Sequence, residues 1–365
     1  MKVVCLSFTF IDYTIQLANG LSKRATVMLI LPKGAVGEHL NSIDSRVDLQ
    51  VFGEGRVHSL NLRYALGFCR VLNLIYRFKP DVIHIQGAFH PWFGFAAPFL
   101  KRYPVVSTFH DVKLHLGEES TWAKFHDWSA RKFSSQIIVH GEKLREQMIT
   151  EYNLPSSKVN AIHIGEHEVA PFKEYEGKDI AEDGNMILFF GRIYRYKGLE
   201  YLIKAEPAIT REVPNAKIVI AGVGEDFRRY EGMMGDRKNA FTVHNYRISY
   251  KEGAELFQRC SVVVLPYVEA SQSGVIPTAY SFSKPVVVTN VGSIPEIVED
   301  GKTGLIVPPR DPKALSEAII RLLKDDRLRQ EMGENAHRKL QEDFSWDRIA
   351  EKTIMVYEKA MADTK

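Results

Sequence analysis

The feature that most restricts the fold is an alternation between short, β-branched apolar runs and longer segments with helical spacing. Runs such as Ser261-Val-Val-Val-Leu265 and Pro285-Val-Val-Val-Thr289 have no polar side, so strands made from them must be covered on both faces. Such strands belong in parallel sheets, whose neighbours are joined by helical crossovers. In the first half the pattern predicts strands at Lys2–Phe8, Ala25–Leu31, Val47–Phe52, Asp81–Gln86, Pro104–Phe109, Gln136–His140 and Val159–Ile164. In the second half it predicts Met186–Phe190, Lys217–Ala221, Ala240–His244, Ser261–Leu265, Pro285–Thr289 and Gly304–Val307. Intervening helices include Val275–Phe282 and Leu60–Phe78, where Leu62, Ala65, Leu66, Cys69, Leu72 and Tyr76 keep helical spacing. After Asp311 the chain turns wholly helical, at Pro312–Lys324, Arg327–Gln341 and Trp346–Met361; Asp311 reads as an N-cap ahead of Pro at the first helical position.

Glu166 to Asn185 breaks the alternation: it is rich in Glu, Lys, Gly and Asp, holds Pro171 and lacks apolar periodicity. The expected organisation is therefore a Rossmann-like domain at 1–168, a linker at 169–185, a second Rossmann-like domain at 186–345 and a closing helix at 346–365. A chain of 365 residues is long enough for both cores. Two doubly wound α/β halves imply a cleft, with ligands at the carboxyl ends of the strands. The net charge of +3 is too small to point to nucleic acid. The N-terminus reads as a buried strand without a signal-peptide cleavage pattern, and no apolar stretch is long enough to cross a bilayer. Cys5, Cys69 and Cys260 show neither pairing nor metal spacing, which fits reduced, buried thiols in a cytoplasmic protein.

Several strand ends carry chemistry. After Leu265 comes a loop with one carboxylate, Glu269, and the small residues Ser271, Ser273 and Gly274, followed by the helix that opens at Val275. Backbone N–H groups in such a loop favour an anion, whereas a carboxylate suits sugar hydroxyls, so the pair suggests a phosphate and a polyol held together. The same loop also fits an ordinary doubly wound protein. Gly191-Arg-Ile-Tyr-Arg-Tyr-Lys-Gly198 places Arg192 and Lys197 between a strand and a helix, as an anion site or as solvated charges. Gly222 and Gly224 form a third turn, without full dinucleotide spacing, that also fits an ordinary tight turn.

In the first half, His110 and Asp111 follow a strand, and His90 lies on a strand-end loop where it could face a ligand. A metal site from His110, Asp111 and His115 matches no known ligand spacing, so no metal is expected. His84, inside an apolar strand, reads as a hydrogen-bonded core histidine. The loop His244-Asn-Tyr-Arg-Ile248, with Arg247, is the candidate for contact with a base. No Ser-His-Asp or Cys-His nucleophile pattern stands out.

Taken together and in order, Gly191-Arg192 with Lys197-Gly198, Ala221-Gly-Val-Gly224, Val262-Val-Val-Leu-Pro-Tyr267 and Lys284-Pro-Val-Val-Val-Thr-Asn-Val-Gly-Ser-Ile-Pro-Glu296 through Pro308 form a specific set. The chain resembles the retaining glycosyltransferases of family 4, two-domain GT-B enzymes that use nucleotide-sugar donors. The resemblance covers nearly the whole chain and is strongest from Ile187 to Trp346. It implies that Arg192 and Lys197 grip the donor diphosphate and that His110 contacts the donor sugar. The Ser273-Gly274 backbone would lie against phosphate, Glu269 would orient the sugar, and Gly191, Gly222, Gly224, Arg247, Val275 and Thr278 would line the donor site. It implies a hexosyltransferase-type reaction with retention and without a metal or other cofactor, on a carbohydrate or lipid-linked acceptor of the kind used in cell-surface polysaccharide or glycolipid synthesis.

Two departures from the family pattern stand out. Of the two glutamates the family usually carries in the opening loop, Glu269 is present one residue out of register, and Thr278 stands where the second belongs. The loop Phe8-Thr-Phe-Ile-Asp-Tyr-Thr14 lacks the family's glycines, so Asp12 and Tyr13 are assigned to the acceptor side. Rival readings are a sugar-nucleotide epimerase, a phosphorolytic enzyme, an inverting transferase and a non-catalytic sugar-nucleotide-binding member. Arg63, Arg70 and Arg77 recur on Leu60–Phe78, which reads either as a basic amphipathic helix for peripheral contact with the inner face of a membrane or as a core helix with a solvated side.

Overall fold

The fold is that of a computed structural model, which describes residues 1–7, 10–36, 40–52, 62–87, 97–112, 121–165, 172–177 and 180–363. It consists of two compact units, Met1–Gly165 with Ser345–Lys365, and Glu166–Phe344.

In the first unit the strands are β1 (Lys2–Ser7), β2 (Thr26–Pro32), β3 (Asp48–Phe52), β4 (Val82–Gln86), β5 (Val105–Phe109), β6 (Gln136–Val139) and β7 (Val159–Ala161). They form one sheet in the order β3-β2-β1-β4-β5-β6-β7, and every neighbouring pair is parallel. The second unit holds β8 (Met186–Phe190), β9 (Lys217–Ala221), β10 (Phe241–His244), β11 (Val262–Leu265), β12 (Val286–Thr289) and β13 (Gly304–Val307). Their order is β10-β9-β8-β11-β12-β13, again wholly parallel. Each sheet reverses its winding once, between β1 and β4 and between β8 and β11. The loops that leave those pairs diverge, which opens a crevice at their carboxyl ends.

The strands form where the alternation predicts because their β-branched residues are buried on both faces. Val262, Val263, Val264 and Leu265 are all fully buried, for example, and the two cores of the second unit lie on opposite faces of its sheet. Asp311 caps the Pro312–Lys324 helix by accepting from the N–H groups of Lys313 and Ala314. The closing helix, Trp346–Asp363, belongs to the first unit, where Ile349, Ala350, Val356, Tyr357 and Ala360 join the core beneath the Ile11–Ser22 helix. The two helices approach so closely that a Cβ on Gly20 would lie 2.7 Å from the Trp346 carbonyl oxygen.

Three expectations change. The described part of the Leu62–Phe78 helix buries Val71 and Ile75, while Cys69 is exposed. In that described part Val71, Leu74, Ile75 and Phe78 pack on the sheet together with Leu72 of the expected stripe. Only Cys5 and Cys260 are buried thiols.

The described part of the linker is not a free tether. Phe172 enters the second core, and Gln258 exchanges hydrogen bonds with both backbone groups of Gly177. Glu182 binds two buried cations, Lys284 at 2.5 Å and Arg329 at 3.1 Å.

Among the described residues no helix is long and apolar enough to cross a membrane.

Candidate functional site

At the carboxyl end of β8, Gly191 (φ +114°) turns the chain and Arg192 emerges exposed. Two later segments are laid against this turn by backbone contact. Gly191 N–H donates to the Ala221 carbonyl (2.9 Å), Ile193 N–H to Val223 (3.1 Å), and Glu225 N–H to Ile193 (2.8 Å). The approach leaves no room for side chains, since a Cβ on Gly222 would sit 1.8 Å from the Gly191 carbonyl oxygen. Glycine there is a packing requirement.

The second segment is the loop after β11. Val268 N–H donates to the Tyr196 carbonyl at 2.8 Å, and Gly198 (φ +69°) has its α-carbon against the Pro266 carbonyl, where a Cβ would lie 1.8 Å away. Lys197 is thereby held with its ammonium 3.7 Å from the centre of the Tyr267 ring and 5.2 Å from that of Tyr196. The buried Tyr267 hydroxyl meets the Ser273 hydroxyl at 3.2 Å. Val275, which opens the next helix, packs on Gly191. Arg192, Lys197, Glu269, Ser273, Gly274 and Val275, scattered in the chain, therefore border one crevice.

No described carboxylate forms an ion pair with Arg192 or Lys197, and Glu269 is exposed. Two cations that no described carboxylate neutralises, beside a small-residue loop, are suited to an anion.

Thr278 is placed differently from the expectation. It is 1% exposed, and its hydroxyl donates to the Gly274 carbonyl one turn back (3.1 Å), so it faces into the helix rather than toward a ligand. Arg247 is exposed on the loop after β10. In the same loop the Tyr246 hydroxyl donates to Glu252 (2.6 Å), with His244 Nδ1 2.9 Å from that hydroxyl. Two groups went unnoticed in the sequence. Gln272 Oε1 and the fully buried Ser293 Oγ have no hydrogen-bond partner among the described residues, and Ser293 N–H donates to the Ser271 carbonyl in the same loop. An isolated Gln or Ser carries no sequence signal of that kind.

In the first unit, His110 ends β5 and is 4% exposed. Phe10 stacks on its ring with centroids 3.6 Å apart, and Tyr13 packs edge-on at 5.1 Å. Tyr13 is 3% exposed and also touches His140 and Trp346, so it is a core residue instead of an acceptor contact. Burial pushes its hydroxyl well above the usual tyrosine range. Asp12 is half-buried on the next position of the helix. His90 and His115 lie outside the described residues. Among the described residues no cluster of His, Cys, Asp or Glu could hold a metal ion.

His84 is a hydrogen-bonded core histidine, 1% exposed, with Nδ1 2.6 Å from the Tyr357 hydroxyl and Nε2 2.8 Å from the Thr108 hydroxyl. Burial holds its pKa down at about 3, with His140 adding to the effect. Beyond it Gln86 bridges to His110, and His110 to His140.

The fold and this paired set of strand-end loops define a GT-B type protein. The solved structures with the same architecture include sucrose-phosphate synthase from Thermosynechococcus elongatus, at TM-score 0.73 and 19% identity over 99% of this chain and 100% of that one. They also include Anabaena HepE in complex with UDP-glucose, at TM-score 0.72 and 18% identity over 98% and 99%. The description "Glycosyl transferases group 1" matches residues 172–339, and "Glycosyltransferase Family 4" matches residues 12–165. An uncharacterized glycosyltransferase of Methanocaldococcus jannaschii is 31% identical over 304 residues, covering 78% of this chain and 76% of that protein. The chain belongs to the group 1, family 4 glycosyltransferases.

Proposed function

We propose that this glycosyltransferase moves a hexose from a nucleoside diphosphate donor to an acceptor hydroxyl with retention of configuration, and that Arg192 and Lys197 supply the positive charge a metal provides in other transferases. The observation that carries this reading is the placement, at the β8–β11 switch point, of two cations with which no described carboxylate pairs, one of them held over Tyr267. Departure of a nucleoside diphosphate builds negative charge on its distal phosphate while the sugar carbon becomes oxocarbenium-like. Cations already in position act on that charge as it develops, without reorganising. Ser273 and the backbone at Gly274 complete the phosphate side, Gly191, Gly222 and Gly224 give it close approach, and Arg247 lies on the base side.

Glu269, exposed beside them, suits sugar hydroxyls and orients the sugar. The donor probed first is a uridine diphosphate sugar, because Anabaena HepE was solved with UDP-glucose. His110 is assigned to the donor sugar. The exposed Arg70 and Arg77, seven positions apart on one helix, support an acceptor presented at an anionic lipid surface, as in polysaccharide or glycolipid assembly at the inner face of a membrane.

The test is turnover of nucleotide-sugars against simple sugar and lipid-linked acceptors, in EDTA, with the anomer of the product read by NMR. Transfer in EDTA with retained configuration is the expected result. Transfer that requires added divalent metal, or an inverted product, would overturn the corresponding part. Tight donor binding with no transfer to any acceptor would favour a binding member, a reading supported by the inward-facing Thr278.

A further inference from the structure

At the carboxyl edge of the first sheet, buried polar groups form a chain whose direction can be worked out from one end. His140 Nδ1 lies 3.0 Å from the Ile162 carbonyl, which can only accept, so this nitrogen carries a proton. His140 Nε2 faces His110 Nδ1 at 3.1 Å, and only one of those two nitrogens can hold a proton between them. His110 Nε2 faces Gln86 Oε1 at 3.2 Å, and because that oxygen only accepts, Nε2 is protonated as well. The amide nitrogen of Gln86 points the other way, to His84 Nε2 at 3.2 Å, so His84 accepts there and donates from Nδ1 to Tyr357. His84 is thus satisfied as a neutral ring. For His110 and His140 no neutral assignment remains, because three protons must be placed on their four nitrogens.

We propose that His110 and His140 share one imidazolium charge, fixed by Gln86 Oε1 at one end and the Ile162 carbonyl at the other, and that His140 and Gln86 are positioning residues for His110. The pair is held in register from several sides. Phe10 covers the His110 face, and Tyr13 from the Ile11–Ser22 helix packs edge-on to both rings. Among the described residues, the titratable groups around it include Tyr13, His84 beyond Gln86, Tyr357 beyond His84, and the half-buried Asp111 and Asp12. Reversal of the Gln86 amide makes the chain neutral throughout: its N–H would then donate to His110 Nε2, the proton between the rings would sit on His110 Nδ1, and His84 would take its other tautomer, donating from Nε2 to the Gln86 oxygen and accepting from the Tyr357 hydroxyl at Nδ1. Charge on the pair and orientation of the Gln86 amide are therefore one switch. The role in donor binding rests on the assignment of His110 to the donor sugar.

The test is 15N NMR of the histidine rings in the full-length protein at neutral pH, assigned with His84→Asn, His110→Asn and His140→Asn. The expected pattern is three protonated nitrogens across His110 and His140, the middle proton being shared. Two neutral rings, each with one unprotonated nitrogen, would overturn the proposal. Gln86→Glu, which can only accept toward His110 when ionised, should keep the three-proton pattern, and Gln86→Met should lose it. His140→Asn can still donate to His110 Nδ1, so it preserves the His110 tautomer while removing the shared charge. Its expected effect is an affinity for nucleotide-sugar lower by about tenfold, the scale of one charge-assisted hydrogen bond. A charged pair with unchanged affinity in His140→Asn would overturn the positioning role. Failure of the wild-type protein to bind any nucleotide would instead refute the functional assignment, with the ring protonation standing on its own measurement.

Discussion

At the carboxyl edge of the second sheet, Arg192 is exposed and Lys197 half-buried, and no described carboxylate forms an ion pair with either. At the equivalent edge of the first sheet, His84, His110 and His140 are almost wholly buried and bound to one another, to Gln86 and to the closing helix through Tyr357. The two edges share a winding pattern, with a single switch point each. They differ in where their polar capacity goes. Among the described residues the second edge leaves its cations without a carboxylate and two buried polar atoms, Gln272 Oε1 and Ser293 Oγ, without a hydrogen-bond partner, and builds its walls from glycine backbone. The first edge satisfies its imidazoles internally. An edge like the second is ready for an anion; one like the first sets the geometry and charge of a few groups near its surface.

The largest expected effect breaks the second edge by its backbone. Gly222→Ala drives a methyl into the Gly191 carbonyl, and neither backbone can yield cheaply, so unfolding free energy in urea should fall by about 4 kcal/mol or more. Gly232→Ala is the control. It lies in the Arg228–Met234 helix with nothing within 4 Å of an added Cβ, and should gain up to about 1 kcal/mol. Next, Lys197→Ala should lower kcat about a hundredfold, or about 3 kcal/mol, while the thermal midpoint moves little. Near-normal turnover would remove Lys197 from the phosphate site.

Much of this architecture is legible in the sequence because strands buried on both faces announce themselves locally. Val262–Leu265 and Val286–Thr289 could hardly be anything else. The Gly191–Gly198 turn is legible for the same reason, as its cations and glycines are contiguous. What the sequence conceals is pairing across distance. Nothing near Lys197 signals that Tyr267 supports it, or that Gly198 abuts Pro266. Nothing near His84 signals Tyr357, 273 residues away. Phe172 and Glu182 sit in a stretch without periodicity, yet one fills a core and the other pairs with two buried cations. Position on an element points Tyr13 and Thr278 toward ligands. The face of the helix, set by packing, turns both inward.

Two smaller effects sharpen the contrast further. Glu182→Ala leaves Lys284 (6% exposed) without its described carboxylate and Arg329 (5% exposed) with Asp326 alone, and should cost about 2 kcal/mol by urea unfolding. In the first unit, the unfolded chain takes up a proton on His84 at its ordinary value of 6.5, whereas the folded chain does so only near 3. Between those values the unfolded state binds more protons, so this group's contribution to stability is present above pH 6.5 and declines as pH falls toward 3. His84→Gln should flatten that part of the stability-against-pH curve. Tyr357→Phe should cost about 1 kcal/mol by removing the hydroxyl that His84 Nδ1 meets.

The central claim is that the β8–β11 switch point is a nucleoside diphosphate site that works through protein cations. It is tested most directly by calorimetric titration of uridine, guanosine and adenosine diphosphates and their sugars into the wild-type, Arg192→Ala and Lys197→Ala proteins, each with and without EDTA. At least one nucleotide should bind equally well in EDTA and lose about tenfold or more in affinity in each variant. Binding that appears only with added divalent metal, or that both variants retain in full, would contradict it.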